Sequence, residues 1–358
     1  AEFVVSFVVV SVSSPFLSDA HEASAARRRT AMPIFKNLFI WCLIRIKIQS
    51  LCIITFLKVE LKHFLYLFTI CLLVKRDYDE ILSVLLTQSK TCFIIQSTEK
   101  REDNLHMKIL SIGNSFSQDA QAYLHDAAIS LGLDLECLNL YIGGCSLERH
   151  YNNLLSGERA YSPEYNGHAG EEAVSLGEIL EGDKYDVVTL QQASHYSGLY
   201  ETYHPYIDEL YKAVVKAQPN AKVYIHETWA YEIDSTHSAF PDYGSSQKKM
   251  FDMLHEAYGK VAGELGLDVI PVGSAVQYFR ENVSEFDYAH GGKSLNRDGF
   301  HLSIPLGRLL SSLVWIEKIT GHDISGLTFV PAEASEEDKA LIPVIAENVH
   351  NYMKLSQK

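Results

Sequence analysis

The first 112 residues of this chain contain no glycine, because all 21 glycines of the 358-residue sequence lie at Gly113 or later. Glycine makes up about 7% of average protein sequence, so an ordinary globular segment of this length would hold several. The same stretch has only two prolines, Pro15 and Pro33. The opening segment is therefore unlike the sequence of an ordinary globular domain.

The balance of charge also changes near residue 106. Residues 1–106 contain 13 Lys and Arg and 10 Asp and Glu. The remainder contains 18 Lys and Arg and 35 Asp and Glu, and the net charge of the whole chain is −14. Met107 leads directly into an apolar strand pattern, as the start of a compact domain does. We therefore expect residues 1–106 to be a leader outside the fold, from mistranslated upstream or fused sequence. Residues 107–358 are then the folded domain.

Long hydrophobic runs are missing from the leader. Its longest uncharged apolar run, Phe64 to Val74, has 11 residues, whereas a membrane-spanning helix needs about 20. No basic start followed by one apolar run and a small-residue cleavage site indicates a signal peptide. We expect a cytoplasmic domain with no membrane contact for residues 107–358, and membrane anchoring by the leader stays open as an alternative.

The domain has few cysteines and a large excess of acid. Only Cys137 and Cys145 lie in it, which is too few for a disulfide framework, and no metal-type Cys or His spacing occurs. Its 35 acidic against 18 basic residues argue against a nucleic-acid partner, because phosphate binding needs clustered Lys and Arg. We predict no metal and no organic cofactor, and the sequence leaves the oligomeric state open.

Strand and helix patterns alternate along the domain. The predicted strands are Lys108–Ile112, Leu135–Ile142, Asp186–Leu190, Lys222–His226 and Asp268–Val272. The predicted helices are Gln118–Ser130 with Ser117 as its N-cap, Leu147–Leu155, Glu171–Leu180, Pro205–Ala217, Ser245–Leu265, Pro305–Thr320 and Glu336–Leu355. This alternation predicts a three-layer α/β/α sandwich around a five-stranded parallel sheet. Ligands of such folds bind beyond the carboxyl ends of the strands, where Ser115, Gly144, Gln192 and Trp229 should therefore meet.

Two motifs far apart in the chain supply the parts of a serine hydrolase site. Gly113–Ser117 (GNSFS) follows the first predicted strand, and Asp298–His301 (DGFH) lies near the end of the domain. A serine hydroxyl needs a base to take its proton, and that base needs an orienting acid. The i, i+3 spacing can place Asp298 and His301 on one turn that faces Ser115.

The tetrahedral intermediate of such a reaction carries an oxyanion, which needs hydrogen-bond donors. The candidates are the backbone N–H groups of Ser115 and Gly144 and the side-chain amide of Gln191 or Gln192. Because neighbouring side chains of a strand point to opposite sides, only one glutamine should point into the site. We favour Gln192, which lies nearer the end of the strand.

These motifs resemble those of SGNH (GDSL-type) hydrolases over nearly all of residues 107–358. The GNS sequence matches the first family block, Gly143-Gly144 the second, and Asp298-x-x-His301 the fifth. The third block is usually Gly-x-Asn-Asp, whose asparagine donates to the oxyanion, but this chain has LQQAS at Leu190–Ser194. The chain is most similar to an uncharacterised bacterial subfamily with GNSF, LQQ and DGxHLS elements.

The resemblance implies a flavodoxin-like SGNH fold and a serine esterase with a Ser115–His301–Asp298 triad. It implies no cofactor, and its expected substrates are small acyl esters, chiefly O-acetyl groups on carbohydrates. Asn114, Trp229 and Tyr231 are the candidate substrate-binding residues. The last two follow the fourth strand and could stack on a sugar ring, although packing is the simpler interpretation of Trp229.

Two other functions stay open at this point. One is a catalytically inactive carbohydrate-binding relative, which the altered third block allows. The other is a phosphate or nucleotide binder on a flavodoxin-like fold, with Gly113–Ser117 at a helix N-terminus. The second alternative gives Asp298 and His301 no role.

Overall fold

A computed structural model of the protein describes residues 106–356, so the expectation about the leader falls almost entirely outside the described residues. The strands are β1 (Met107–Gly113), β2 (Leu135–Tyr141), β3 (Ser162–Tyr165), β4 (His168–Ala169), β5 (Val187–Leu190), β6 (Lys222–His226) and β7 (Asp268–Ile270). They form one sheet in the order β4-β3-β2-β1-β5-β6-β7. β1, the first strand within the described residues, therefore lies in the middle of the sheet, with β2, β3 and β4 on one side and β5, β6 and β7 on the other.

The five predicted strands are the five parallel strands of this sheet. β1 pairs in parallel with both β2 and β5, and β6 joins β5 to β7. β1 and β5 are apolar runs with nearly every residue buried, as expected for strands covered on both faces. The prediction of a three-layer α/β/α sandwich is confirmed.

The predicted strand count is too low, because β3 and β4 lie at the edge of the sheet in a segment for which the sequence predicts no strand. They form an antiparallel hairpin beside β2. Their sequences are polar, and β3 contains Pro163, so apolar periodicity does not reveal them. The turn does have a local signal: Asn166 and Gly167 have φ of 52° and 81°, and Asn-Gly is the preferred pair for a two-residue hairpin turn with two positive φ angles.

Nine helices occur between residues 106 and 356. They are α1 (Ser115–Gln121), α2 (Leu124–Ser130), α3 (Leu147–Ser156), α4 (Leu176–Gly182), α5 (Tyr206–Ala217), α6 (Gln247–Leu265), α7 (Val272–Asn282), α8 (Leu306–Thr320) and α9 (Glu336–Ser356). α1, α2, α7, α8 and α9 pack around one another, and α3, α4 and α5 form a separate packed group. α8 is buried from Leu306 through most of its length, as an apolar helix at the centre of a layer must be.

The helix predictions differ from the structure at four points. The first helix begins at Ser115 with Asn114 as its N-cap, because the side chain of Ser117 bonds the backbone of Asn114 in a capping box. That helix is then interrupted between α1 and α2, where Tyr123 turns into the core. α7 was not predicted, and α4 begins five residues later than expected, at Leu176.

No helix within residues 106–356 is long and apolar enough to cross a membrane. Cys137 and Cys145 are both buried as free thiols.

Candidate active site

The side chains of Ser115, His301 and Asp298 form one continuous chain of hydrogen bonds. His301 Nε2 lies 2.9 Å from Ser115 Oγ, and His301 Nδ1 lies 2.7 Å from Asp298 Oδ2. Because the Asp298 carboxylate only accepts, Nδ1 carries the proton and Nε2 is left to accept from the serine hydroxyl. The structure thus brings together the three residues that the two motifs predicted, although 186 residues separate Ser115 from His301.

The end of β1 positions the serine. β1 lies in the middle of the sheet, and Asn114 follows it as the N-cap of α1, so Ser115 is the first residue of the helix. Gly113 is required here, since a Cβ on it would lie 2.0 Å from Ser117 Oγ inside the capping box. The serine is therefore held where a parallel strand ends and a helix begins, as in other α/β sites.

A tight turn positions the histidine. Asp298 Oδ1 accepts the backbone N–H groups of Phe300 and His301 at 3.2 and 2.7 Å. Gly299 has φ of 85°, and a Cβ on it would lie 3.0 Å from the backbone of Ser235, so this position favours glycine. The same carboxylate thus folds the turn with one oxygen and orients the imidazole with the other.

The electrostatics of the turn favour an ionised Asp298. Burial raises the pKa of the Asp298 carboxyl, but the hydrogen bonds from the His301 ring and from two backbone N–H groups outweigh it, so the pKa lies below its ordinary value. The Asp298 side chain is 40% exposed. An ionised acid is the form that keeps His301 in the required tautomer.

Two backbone N–H groups near the serine are free to act as donors. Neither the N–H of Ser115 nor that of Gly144 has an acceptor among residues 106–356. The Asn114 side chain donates through Nδ2 to the carbonyl oxygen of Cys145 at 3.0 Å. This bond ties the loop containing Gly144 to the residue that precedes Ser115, so both donors belong to one rigid arrangement.

The preference for Gln192 as the side-chain donor is not supported. Its Nε2 donates to the carbonyl and the hydroxyl of Thr202 at 3.0 and 3.1 Å, and its Oε1 accepts from the backbone of Leu147. Both amide hydrogens are therefore committed. Gln191 instead donates through Nε2 to Asn114 Oδ1 at 2.8 Å, immediately beside Ser115. Strand alternation correctly separates the two side chains, but it does not say which one faces the site.

The three candidate substrate-binding residues are all buried. Trp229 is fully buried, stacks on Phe116 with ring centroids 4.3 Å apart and donates to the carbonyl of Phe300 at 2.7 Å. Tyr231 is also fully buried and bonds Ser194. Asn114 is 1% exposed and its side chain is engaged in capping. None presents a surface to a ligand, so their role here is to support the site.

A polar cavity of about 260 Å³ opens beside Asp298. Hydroxyl and charged groups dominate its lining, including Asp234, Ser235, Tyr288 and Arg297. The Tyr288 hydroxyl donates to Asp234 at 2.9 Å. Within residues 106–356 no cluster of three or more His, Cys, Asp or Glu is placed to hold a metal ion.

Comparison with known proteins now identifies the family. A family model described as a domain of unknown function, DUF4886, matches residues 108–348. The chain belongs to the DUF4886 family. A crystal structure of a DUF4886 family protein from Bacteroides uniformis is 30% identical, with a TM-score of 0.63 over 70% of this chain and 96% of that one. The prediction that the chain belongs to an uncharacterised family is thereby confirmed.

Two other solved structures superpose on this DUF4886 chain with lower TM-scores. A lipase/acylhydrolase from Enterococcus faecalis is 16% identical, with a TM-score of 0.40 over 60% of this chain and 96% of that one. A catalytic mutant of an acetylxylan esterase from Geobacillus stearothermophilus is 12% identical, with a TM-score of 0.40 over 60% and 94%. No curated protein sequence matches this chain.

Proposed function

We propose that this DUF4886 protein is a serine esterase that hydrolyses small acyl esters. The observation that carries the proposal is the hydrogen-bonded chain from Asp298 through His301 to Ser115, with links of 2.7 and 2.9 Å. A nucleophile, a base and an orienting acid in contact are the three parts that acyl transfer to serine needs.

In the proposed mechanism, Ser115 Oγ attacks the ester carbonyl while His301 Nε2 takes the hydroxyl proton. Asp298 stays ionised and stabilises the imidazolium. The oxyanion accepts hydrogen bonds from the N–H groups of Ser115 and Gly144 and from the Gln191 amide. His301 then gives its proton to the leaving alcohol, and water, activated by the same histidine, releases the acid from the acyl-enzyme.

The alcohol part of the substrate is proposed to be a carbohydrate carrying O-acetyl groups. The cavity beside Asp298 supports this, since its carboxylate, hydroxyl and guanidinium groups are the kinds that bind the hydroxyls of a polyol. Asp234 and Tyr288 are the groups that would discriminate a sugar ester from a simple aryl ester.

The full-length chain should hydrolyse p-nitrophenyl acetate, and a fluorophosphonate should label Ser115, as located by mass spectrometry. Ser115→Ala and His301→Ala should each lower kcat by at least about a thousandfold, because the triad acts as a unit. Ser130→Ala and His168→Ala, at positions outside the site, are the matched controls. Folded protein that neither turns over nor becomes labelled would favour the carbohydrate-binding alternative instead.

A further inference from the structure

A line of buried polar side chains runs from the end of β6 to the residue before the serine. His226 Nδ1 lies 2.6 Å from Gln191 Oε1, and Gln191 Nε2 lies 2.8 Å from Asn114 Oδ1. All three residues are at most 2% exposed. Buried polar groups in such a line have few alternative partners, so each bond constrains the next.

The direction of every bond in this line is set by backbone groups at its far end. The N–H of Phe116 can only donate, and it meets Asn114 Oδ1 at 3.0 Å. The carbonyl of Cys145 can only accept, and it meets Asn114 Nδ2 at 3.0 Å. The Asn114 amide therefore has one permitted orientation, since a flipped amide would face two like groups at once.

That orientation determines the two residues behind it. Because Asn114 presents Oδ1, Gln191 must present Nε2 to it and must turn Oε1 toward His226. Oε1 only accepts, so His226 Nδ1 must carry the proton. The tautomer of a buried histidine is thus determined by two backbone groups next to the candidate nucleophile.

We propose that His226 is a positioning residue for the oxyanion hole. The Nδ1–H of His226 holds the Gln191 amide so that one hydrogen on Gln191 Nε2 is directed to the oxyanion. The inference rests on the proposed esterase function. Gln191 Nε2 has two hydrogens, and only the one shared with Asn114 has an acceptor within the described residues. An oxyanion donor contributes most when its direction is set before the reaction begins.

The surroundings of His226 agree with a purely orienting role. Its ring is completely buried, meets the edge of Trp315 with centroids 5.0 Å apart, and has no partner at Nε2 within residues 106–356. Burial lowers the pKa of His226 to about 3, so the ring stays neutral throughout the working range of pH. Within the described residues His226 forms no hydrogen bond with Ser115 or His301, so it takes no proton in the reaction.

Two nearly isosteric substitutions separate orientation from packing. His226→Asn keeps an N–H near the position of Nδ1, whereas His226→Leu has the same shape and no donor. Since losing a whole oxyanion donor costs roughly 100- to 1000-fold in kcat, we expect His226→Leu to lose at least about tenfold of kcat on p-nitrophenyl acetate. KM should change little, and His226→Asn should recover most of the loss. Equal activity of the two variants, at any level, would overturn the inference.

A second measurement needs no variant and no activity. Nitrogen-15 NMR of the full-length protein should show His226 with Nδ1 protonated and Nε2 bare, unchanged between pH 5 and 8. A protonated Nε2 or a titration in this range would overturn the inference. If the wild-type protein neither hydrolyses the ester nor is labelled at Ser115, the proposed function fails. The spectrum still tests separately whether His226, Gln191 and Asn114 are hydrogen-bonded in the proposed direction.

Discussion

The fully buried carboxylate of Asp119 accepts two hydrogen bonds from Arg297, at 3.0 and 2.9 Å. Asp119 lies one helical turn after Ser115, and Arg297 directly precedes Asp298. The same carboxylate accepts the backbone N–H of Leu302, directly after His301, at 2.9 Å. One buried acid therefore connects the helix that begins with Ser115 to both ends of the turn that contains His301.

Removing the negative charge of Asp119 should destabilise both the helix that begins with Ser115 and the turn that contains His301. Asp119→Asn leaves Arg297 and Arg308 without their shared carboxylate, and breaking a buried ion pair typically costs about 3–5 kcal/mol of unfolding free energy. We expect a loss of that order in urea denaturation and a fall in kcat under conditions where the variant is still folded. Asp126→Asn, at an exposed acid on α2, is the control and should change neither.

Gly113 should tolerate no side chain. The added Cβ of Gly113→Ala would lie 2.0 Å from Ser117 Oγ and would disturb the capping box before Ser115, so we expect about 1–3 kcal/mol of destabilisation from overpacking. Gly259→Ala, in the interior of α6, where nothing lies within 4 Å of the new Cβ, should instead stabilise that helix by about 0.5–1 kcal/mol. Thermal unfolding of both variants checks the pair, and the same sign in both would contradict it.

Trp229 and Trp315 are both buried, but their side-chain N–H groups should contribute differently to the free energy of unfolding. Trp229 Nε1 donates to the carbonyl of Phe300, whereas Trp315 Nε1 has no partner among residues 106–356. Replacing each by Phe removes a similar volume, but only Trp229→Phe leaves an acceptor unpaired. We therefore expect Trp229→Phe to cost about 1–3 kcal/mol more than Trp315→Phe in urea denaturation followed by circular dichroism. Equal costs would mean that the bond contributes nothing net.

The parallel sheet and the residues of the candidate triad could be predicted from the sequence because each has a local signal. β1 and β5 are short apolar runs bounded by turn residues, and their alternation with helices leaves few possible arrangements. The triad is encoded in two compact motifs whose internal spacing already places Asp298 beside His301. Each motif depends on neighbours in sequence, whereas the contact between Ser115 and His301, which are 186 residues apart, depends on the fold.

The supporting residues lacked such signals. In the sequence, Asp119 looks like an ordinary acidic residue of a helix. Its structural role comes from its contact with Arg297, which is 178 positions away. The choice between Gln191 and Gln192 depends on whether Asn114 or Thr202 lies beside each amide, which only packing decides. His226 follows the same rule: its role comes from Gln191 on the neighbouring strand, not from its own sequence context.

Glu227, His255 and Ser274 form a second cluster of serine, histidine and carboxylate, which is arranged differently from the candidate triad. Glu227 is 2% exposed and accepts the N–H of Ser274 at the start of α7 at 2.7 Å. His255 Nδ1 meets both the Glu227 carboxylate, at 2.8 Å, and the Ser274 hydroxyl, at 3.1 Å. Serine and acid share one ring nitrogen, so this histidine cannot relay a proton between them, and the cluster is a helix-capping arrangement.

This arrangement makes a definite contribution to stability as a function of pH. The hydrogen bond to Glu227 raises the pKa of His255, burial partly opposes it, and the charges of Glu227 and Asp252 add to the rise. A histidine whose folded pKa is raised stabilises the fold fully below its unfolded pKa, about 6.5, and that stabilisation is lost as pH rises through the folded value. The His255 side chain is 63% exposed, so we expect at most about 1 kcal/mol.

Urea denaturation of the wild type and His255→Gln at pH 5.5, 7 and 8.5 measures this contribution. The difference in unfolding free energy should be largest at pH 5.5 and should shrink toward pH 8.5, because only the protonated imidazole gains from the buried carboxylate. His168→Gln, at an exposed histidine of β4, is the control substitution. A difference that is the same at all three pH values would mean that the helix N-terminus alone stabilises Glu227 and that the imidazolium contributes nothing, and a difference that grows with pH would contradict a raised pKa of His255.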